Sequence, residues 1–178
     1  IYCDSQCIIA ELEARFPEPT LYPGGADGMV WGTSRWTDEV FFSNAIAVVL
    51  GSQLADLPPE FANDRARLYF GPDHDLGALG DDLPHLLAQL RGQFAWANQR
   101  IASGRLFMLG DDPGLPDALV YYLVWFVKGR YAGGAALLEE FEALRGWEDR
   151  VRALGHGEPT ESDSTRALEI ARDATPSR

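Results

Sequence analysis

The chain has 178 residues, 46% of them hydrophobic, and its 27 acidic against 15 basic side chains give a formal net charge of −12 at pH 7. This length and apolar content suit one globular domain, or one domain with part of another. The acidic balance argues against a nucleic-acid surface, which needs clustered Lys and Arg to replace the counterions of the phosphates.

The N-terminal segment predicts a short strand at residues 1–3 that leads into a helix. Asp4 and Ser5 supply the side chains that favour a helix N-cap, and Pro17 ends the helix. Residues 16–28 are rich in Pro and Gly, which indicates a linker to the rest of the chain.

The two cysteines, Cys3 and Cys7, lie four residues apart. That spacing fits neither a redox dithiol nor half of a four-ligand zinc site, so we expect both to be packed as small hydrophobic side chains. The three histidines share no metal-ligand spacing, and no metal is expected; they are His74, His85 and His156. No basic segment followed by an apolar run opens the chain, which favours a reducing compartment.

The middle of the chain predicts helices. The apolar positions of residues 27–50 fit one long amphipathic helix, residues 59–69 fit a shorter one, and the acidic, Gly-containing residues 70–82 indicate a solvated loop. From Leu83 to Ile101 the apolar residues recur at intervals of three and four, which is the pattern of a helix with one buried face.

The last third also predicts helices. Asp117 lies near the start of a helix that contains the apolar run 118–127, and this helix is expected at the centre of a bundle. The run is about half as long as a bilayer-spanning helix, so no membrane segment is expected. Two helical pieces are predicted around Gly146, and Thr160 with Asp163 resembles the capping box of a terminal helix.

Three stretches carry a resemblance to a known family. They are "IYCDSQCIIAELEARFPEPTLYP", "LFMLGDDPGLPDALVYYLVWFV" and "FEALRGWEDRVRALG", in this order. The sequence resembles the glutathione S-transferases over its whole length. The resemblance implies a mainly α fold, in which residues 1–23 are the final strand and helix of a thioredoxin-like α/β domain and residues 24–178 form the all-helical C-terminal domain.

The sequence departs from the family pattern in two places. Gly114 stands where the family has a capping Ser or Thr, and Pro116 where it usually has Ala, so only Asp117 of that motif is kept. Because Gly is a tolerable N-cap, we expect this to weaken the cap by only a few tenths of a kcal/mol. The Tyr, Ser or Cys that activates the glutathione sulfur in the family is expected upstream of Ile1.

The resemblance implies that glutathione is the co-substrate and that its γ-glutamyl group binds at Asp4, Ser5 and Gln6. A helix N-terminus with a Ser hydroxyl suits the carboxylate, and an adjacent Asp suits the ammonium group. The alternative is that Asp4 or Ser5 merely caps the helix.

A pocket for an apolar electrophile is expected at four aromatic side chains, Trp36, Phe41, Phe42 and Tyr69, although each also suits ordinary core or interface packing. The sequence therefore predicts a cytoplasmic, homodimeric glutathione transferase-like enzyme that adds the glutathione thiolate to an apolar electrophile. The alternative is a non-catalytic binding or scaffolding protein of the same fold.

Overall fold

The computed structural model describes residues 4–73 and 75–175 of the chain. These residues are helical and contain no strand, which confirms the predicted mainly α fold, while the strand predicted at residues 1–3 lies outside them. None of the helices in this described part is both long and apolar enough to cross a membrane. The helices are α1 (Ser5–Arg15), α2 (Asp27–Trp36), α3 (Phe42–Gln53), α4 (Pro59–Phe70), α5 (Leu76–Asp81), α6 (Leu83–Ala102), α7 (Leu115–Arg130), α8 (Gly134–Glu139), α9 (Glu142–Ala153) and α10 (Ser164–Asp173).

The chain divides into two compact units. The larger unit, residues 21–153, contains helices α2 to α9 and the hydrophobic core. The smaller unit contains α1 and α10, and neither of these helices has a buried residue. Cys7 is exposed, so its predicted packing is wrong, because α1 has no buried face to receive it; Cys3 lies outside the described residues. The domain boundary after residue 23 stays a prediction.

The helix predicted at residues 27–50 is present, but one wider turn interrupts its regular winding. Between α2 and α3 the backbone forms a π-helical segment, Thr37–Phe41, so the helical path runs from Asp27 to Gln53 without a loop. The Thr37 hydroxyl lies inside the protein and donates to the carbonyls of Thr33 and Ser34 at 3.0 Å each. The prediction of one long helix is therefore confirmed apart from this turn.

The loop predicted at residues 70–82 contains a helix, α5, so that prediction is wrong for part of the segment. Asp75 caps α5 by accepting from the backbone N–H of Gly77 at 2.9 Å. Leu79 is only 5% exposed and packs against α3. Burial of one leucine outweighs a local composition of Gly and Asp that disfavours a helix. The buried partners of Leu79 on α3 are Ile46, Ala47 and Leu50.

The core of the larger unit forms around α6 and α7. The predicted stripe of α6 is confirmed, since its members Leu90, Phe94, Ala97 and Ile101 are buried. Helix α7 buries one side completely but leaves Trp125 56% exposed, so it is not enclosed all round as predicted. The fully buried side chains of α7 are Val120, Leu123, Val124 and Val127.

The late helices begin and end at different residues from those predicted. The chain breaks between α8 and α9 at residues 140–141, whereas Gly146 lies inside α9. Helix α10 begins at Ser164, and Asp163 caps it by accepting from the backbone N–H of Arg166 at 2.7 Å. Asp163 is therefore the cap itself, not the second member of a box that starts at Thr160.

The carboxylate of Asp117 joins three separate segments of the larger unit. It is only 1% exposed. Its Oδ1 atom accepts from the backbone N–H of Met108 at 2.9 Å and from the Trp147 indole at 2.7 Å, and Oδ2 accepts from the backbone N–H of Gly114 at 3.0 Å. The side chain thus accepts one hydrogen bond from each of three places: the start of α7, the loop before it and the centre of α9.

Gly114 is held against the linker at the start of the larger unit. A Cβ atom added to Gly114 would lie 2.5 Å from Cδ and 2.7 Å from Cγ of Pro23, and 3.0 Å from the carbonyl oxygen of Leu21. That same carbonyl accepts from the backbone N–H of Leu115 at 2.8 Å. The absence of a side chain at position 114 is therefore a packing requirement, and the residue does more than weaken a cap.

Replacing Gly114 with Ser should destabilise the protein. Capping chemistry alone would give a gain of a few tenths of a kcal/mol, but overpacking against Pro23 costs about 1–3 kcal/mol. Urea unfolding measures the difference. Gly32→Ala in α2, where an added Cβ meets nothing within 4 Å, is the control and should stabilise by about 0.5–1 kcal/mol. A Gly114→Ser variant that is more stable than the wild type would contradict the steric explanation.

The titration of Asp117 should make stability depend on pH. Burial raises the pKa of this carboxyl above its ordinary 3.8, against the opposing effect of its hydrogen bonds to Trp147, Met108 and Gly114. Between the ordinary and the raised pKa the folded protein binds more protons than the unfolded chain, so the free energy of unfolding contributed by Asp117 falls as pH rises through that window. Asp117→Asn cannot titrate there. We expect the stability of the wild type minus that of the Asn variant, from urea unfolding, to decrease as pH rises above 3.8; a difference that increases would contradict the direction of the shift.

Candidate functional site

The residues predicted to bind glutathione lie at the N-terminus of α1. Asp4 is the N-cap: its Oδ1 atom accepts from the backbone N–H groups of Gln6 at 2.8 Å and Cys7 at 3.2 Å. Its backbone has a φ of 78°, a left-handed conformation that non-glycine residues seldom adopt. Asp4, Ser5 and Gln6 are all exposed. The capping role of Asp4 is therefore present, and the proposed role in binding glutathione comes from the resemblance.

The same Asp-Ser pair starts a second helix of the smaller unit. Asp163 and Ser164 begin α10, and Asp163 accepts from a backbone N–H of the first turn as Asp4 does. Because two helices use the pair in the same way, helix capping is a sufficient reason for an Asp-Ser pair in this chain. The pair at residues 163–164 therefore provides a matched control for any function assigned to the pair at residues 4–5.

The four aromatic residues predicted for the electrophile pocket form two contacting pairs. The rings of Trp36 and Phe41 stack with centroids 5.2 Å apart, and those of Phe42 and Tyr69 meet edge to face at 5.4 Å. Phe41 is completely buried, so it supports Trp36 from behind and offers no surface to a ligand. The structure therefore gives two candidate surfaces, one beside Trp36 and one beside Tyr69.

The surface beside Trp36 is a groove between α2, α6 and the loop that precedes α7. It has a volume of about 180 Å³. The indole N–H of Trp36 donates to the side-chain oxygen of Gln93 at 2.6 Å, and Gln93 is only 7% exposed. This buried acceptor holds the ring in one orientation. Residues that line the groove include Met29, Thr33, Trp36, Trp96, Arg100 and Met108.

The groove combines aromatic surface with one fixed cation. Trp96 is 59% exposed, and its ring centroid lies 6.2 Å from that of Trp36. Arg100 is held in place because its Nε donates to the carbonyl of Met108 at 2.6 Å. Burial, and then the nearby cation of Arg105, lower the pKa of Arg100 from its ordinary 12.5. These groups suit a flat apolar molecule, with or without an anionic substituent.

The surface beside Tyr69 is a second groove, formed by α3, α4 and α7. Its volume is about 430 Å³, and Leu50 and Phe126 contribute to its walls. The guanidinium of Arg65 lies 5.6 Å from the ring centroid of Phe61 and 6.0 Å from that of Tyr69. Here too a cation lies beside apolar walls, but the aromatic rings are engaged with Arg65.

Sequence reasoning missed Trp96 and Arg100. The available signal was position: Trp96 lies outside the stripe of Leu90, Phe94 and Ala97, so a large aromatic side chain falls on the face of α6 that the periodicity assigns to solvent. Within residues 4–73 and 75–175 no cluster of His, Cys, Asp or Glu has the composition of a metal site.

The family model for the glutathione S-transferase C-terminal domain matches residues 8–150. The match spans well over half of the 178 residues, and the chain therefore belongs to the glutathione S-transferase family. No curated protein matches the sequence. The matched range includes the groove beside Trp36 and begins after Asp4, Ser5 and Gln6.

Trp96 should contribute to binding of apolar aromatic molecules. Replacing it with Ala removes one exposed wall of the groove, so we expect the Kd for 1-anilinonaphthalene-8-sulfonate to rise about five- to tenfold, or about 1–1.4 kcal/mol. A fluorescence titration measures this. Trp125→Ala is the matched control, because Trp125 has nearly the same exposure, 56% against 59%, and does not line the groove. Equal losses in both variants would show that the probe binds elsewhere.

Proposed function

We propose that this chain is part of a glutathione S-transferase-like enzyme that transfers the glutathione thiolate to an apolar electrophile. The groove beside Trp36 is the observation that carries this proposal, because it offers an apolar aromatic surface within the family-matched domain. Family membership supports the proposal but leaves the reaction open, since one fold can carry several functions.

Glutathione is the co-substrate in this proposal, and its γ-glutamyl group binds at the N-terminus of α1. The backbone N–H and the hydroxyl of Ser5 suit a carboxylate, since the N–H groups of Gln6 and Cys7 already donate to Asp4. Asp4 uses Oδ1 for the cap, and no described residue donates to its other oxygen, which suits an ammonium group. Gln6 provides a further polar side chain.

The electrophile binds in the groove between Trp36 and Trp96. Exposed indole faces favour a planar apolar ring, and burial of that ring supplies about 25 cal/mol for each Å² of apolar surface removed from water. The surface beside Phe42 and Tyr69 is the second candidate for the same role. Phe41 acts only as support for Trp36.

The reaction requires a thiolate, because a free thiol with a pKa near 8.5 is a poor nucleophile at neutral pH. The thiolate attacks the electrophilic carbon, a C–S bond forms, and the leaving group departs or a proton is taken up. The resemblance implies that the residue that stabilises the thiolate lies upstream of Ile1. The proposed enzyme is a cytoplasmic homodimer and needs no metal.

The role of Ser5 can be tested in the protein that carries the upstream sequence. Ser5→Ala removes one donor to the γ-glutamyl carboxylate, so the affinity for glutathione should fall by about tenfold, the equivalent of one charge-assisted hydrogen bond of about 1.4 kcal/mol. Titration calorimetry measures the affinity, and conjugation to 1-chloro-2,4-dinitrobenzene measures the activity.

Ser164→Ala is the control, because Ser164 has the same place after a capping Asp at the start of α10. It should leave the glutathione affinity unchanged. If both variants bind glutathione like the wild type, Ser5 has no role beyond the helix. Binding of glutathione without conjugation of any electrophile would favour the non-catalytic alternative.

A further inference from the structure

The groove beside Trp36 contains a cation and no carboxylate among the described residues that line it. Arg100 is the charged member of this lining, and the other members are apolar or neutral. Met29 is 64% and Trp96 59% exposed, so both present apolar surface that a ligand can reach. An anion that enters the groove therefore meets a cation, although the chain has a formal net charge of −12.

The guanidinium of Arg100 is fixed at one nitrogen and has donors left at the other two. Its Nε donates to the carbonyl of Met108 at 2.6 Å, and the backbone N–H of Met108 is itself held by Asp117 at 2.9 Å. No hydrogen bond joins Nη1 or Nη2 to a described residue. Arg100 is only partly buried, so these nitrogens can be reached from the groove. Two such nitrogens form a planar fork that binds both oxygens of a carboxylate.

The surroundings of Arg100 leave its charge unmatched. Arg100 forms no ion pair with any described residue. Burial, and then the second cation, Arg105, lower the pKa of Arg100. Arg105 donates to the hydroxyl of Ser103 at 2.9 Å, which is a neutral partner. Because two neighbouring cations repel each other, an anion bound at Arg100 offsets that repulsion.

We propose that the groove beside Trp36 selects aromatic compounds that carry a carboxylate, and that the electrophile belongs to this class. The aromatic ring lies on the exposed indole of Trp96 and beside Trp36, and the carboxylate accepts from Nη1 and Nη2 of Arg100. The assignment of the electrophile rests on the proposed function, whereas the binding step needs no glutathione. A neutral compound of the same shape gains only the apolar contact, and an ammonium compound is repelled.

The binding step is tested by titrating ¹⁵N-labelled protein with 2-naphthoate, followed by NMR, in the absence of glutathione. Two comparison compounds carry the same ring: 2-naphthalenemethanol, which is neutral, and 2-naphthylmethylammonium, which is a cation. We expect saturable shifts at the amides of α2 and α6 and at the indole N–H of Trp96 with the carboxylate. The alcohol should bind at least about fivefold more weakly, and the ammonium compound should show no saturable binding.

A second arginine anchored on the same loop provides a matched control. Arg150 is partly buried like Arg100, and its guanidinium donates to the carbonyl of Leu106 at 3.0 and 3.2 Å. It does not line the groove. Arg100→Gln should weaken binding of 2-naphthoate about five- to tenfold and that of the alcohol less than about twofold, whereas Arg150→Gln should change neither by more than about twofold. Arg100→Lys, which keeps the charge but has no fork, should lie between Arg100→Gln and the wild type.

The class of electrophile is tested in the protein that carries the upstream sequence. Attack of the glutathione thiolate on 4-chloro-3-nitrobenzoate forms a C–S bond and releases chloride, and the same holds for the neutral 4-chloro-3-nitrobenzamide. We expect a higher kcat/KM for the carboxylate, and we expect Arg100→Gln to remove this preference. Equal values for the two compounds in the wild type would contradict the assignment. Conjugation of neither compound, with 2-naphthoate still bound through Arg100, would contradict the proposed function and support the binding step alone.

Three binding results would overturn the proposal. The first is equal affinity of the wild type for 2-naphthoate and the alcohol. The second is an equal loss of both ligands in Arg100→Gln, which would mean that Arg100 only shapes the groove. The third is the absence of saturable shifts in the wild type together with dissociation of a dimer in Arg100→Gln, measured by sedimentation, which would assign the groove to a second copy of the chain.

Discussion

The buried carboxylate of Asp117 is the constraint on which the larger unit depends. Three donors from different parts of the chain converge on it, and each of them would lose its hydrogen bond if the carboxylate were absent. The backbone of Met108 donates to Asp117 and accepts from Arg100. Because Met108 and Arg100 both line the groove beside Trp36, the network that joins α7 and α9 also fixes one side of that groove.

Part of the aromatic surface of the helical domain is not used in packing its core. Core packing uses the stripes of α6 and α7, whereas Trp36 and Trp96 meet at the margin of the core. The indole of Trp36 is supported by Phe41 behind it and by Gln93 beside it, so its exposed face is rigid. A rigid aromatic face binds flat molecules with little loss of side-chain entropy. Family membership gives the fold, and the groove beside Trp36 lies at such a margin.

Asp117 and Asn44 are two buried polar side chains that differ in how completely they are hydrogen-bonded. Both are at least nine-tenths buried on helices of the larger unit. Asp117 is fully paired within the protein and stabilises the packing of three segments. The amide of Asn44 is paired on its nitrogen and unpaired on its oxygen among the described residues. A fully paired buried group stabilises the packing around it, whereas an unpaired buried acceptor costs the protein the free energy of its desolvation.

The sequence by itself determined the longer helices, because the spacing of apolar residues is a local property that does not depend on their packing partners. The stripe from Leu83 to Ile101 gave α6 to within a residue, and Asp117 was identified at the start of α7. Only the tertiary structure decided which helices and which side chains contact one another. Helix α5 forms in a segment of Gly and Asp because Leu79 is buried against α3. Gly114 is required by Pro23, and the four predicted aromatic residues separate into two pairs. These outcomes depend on contacts between residues far apart in the chain, which no local pattern encodes.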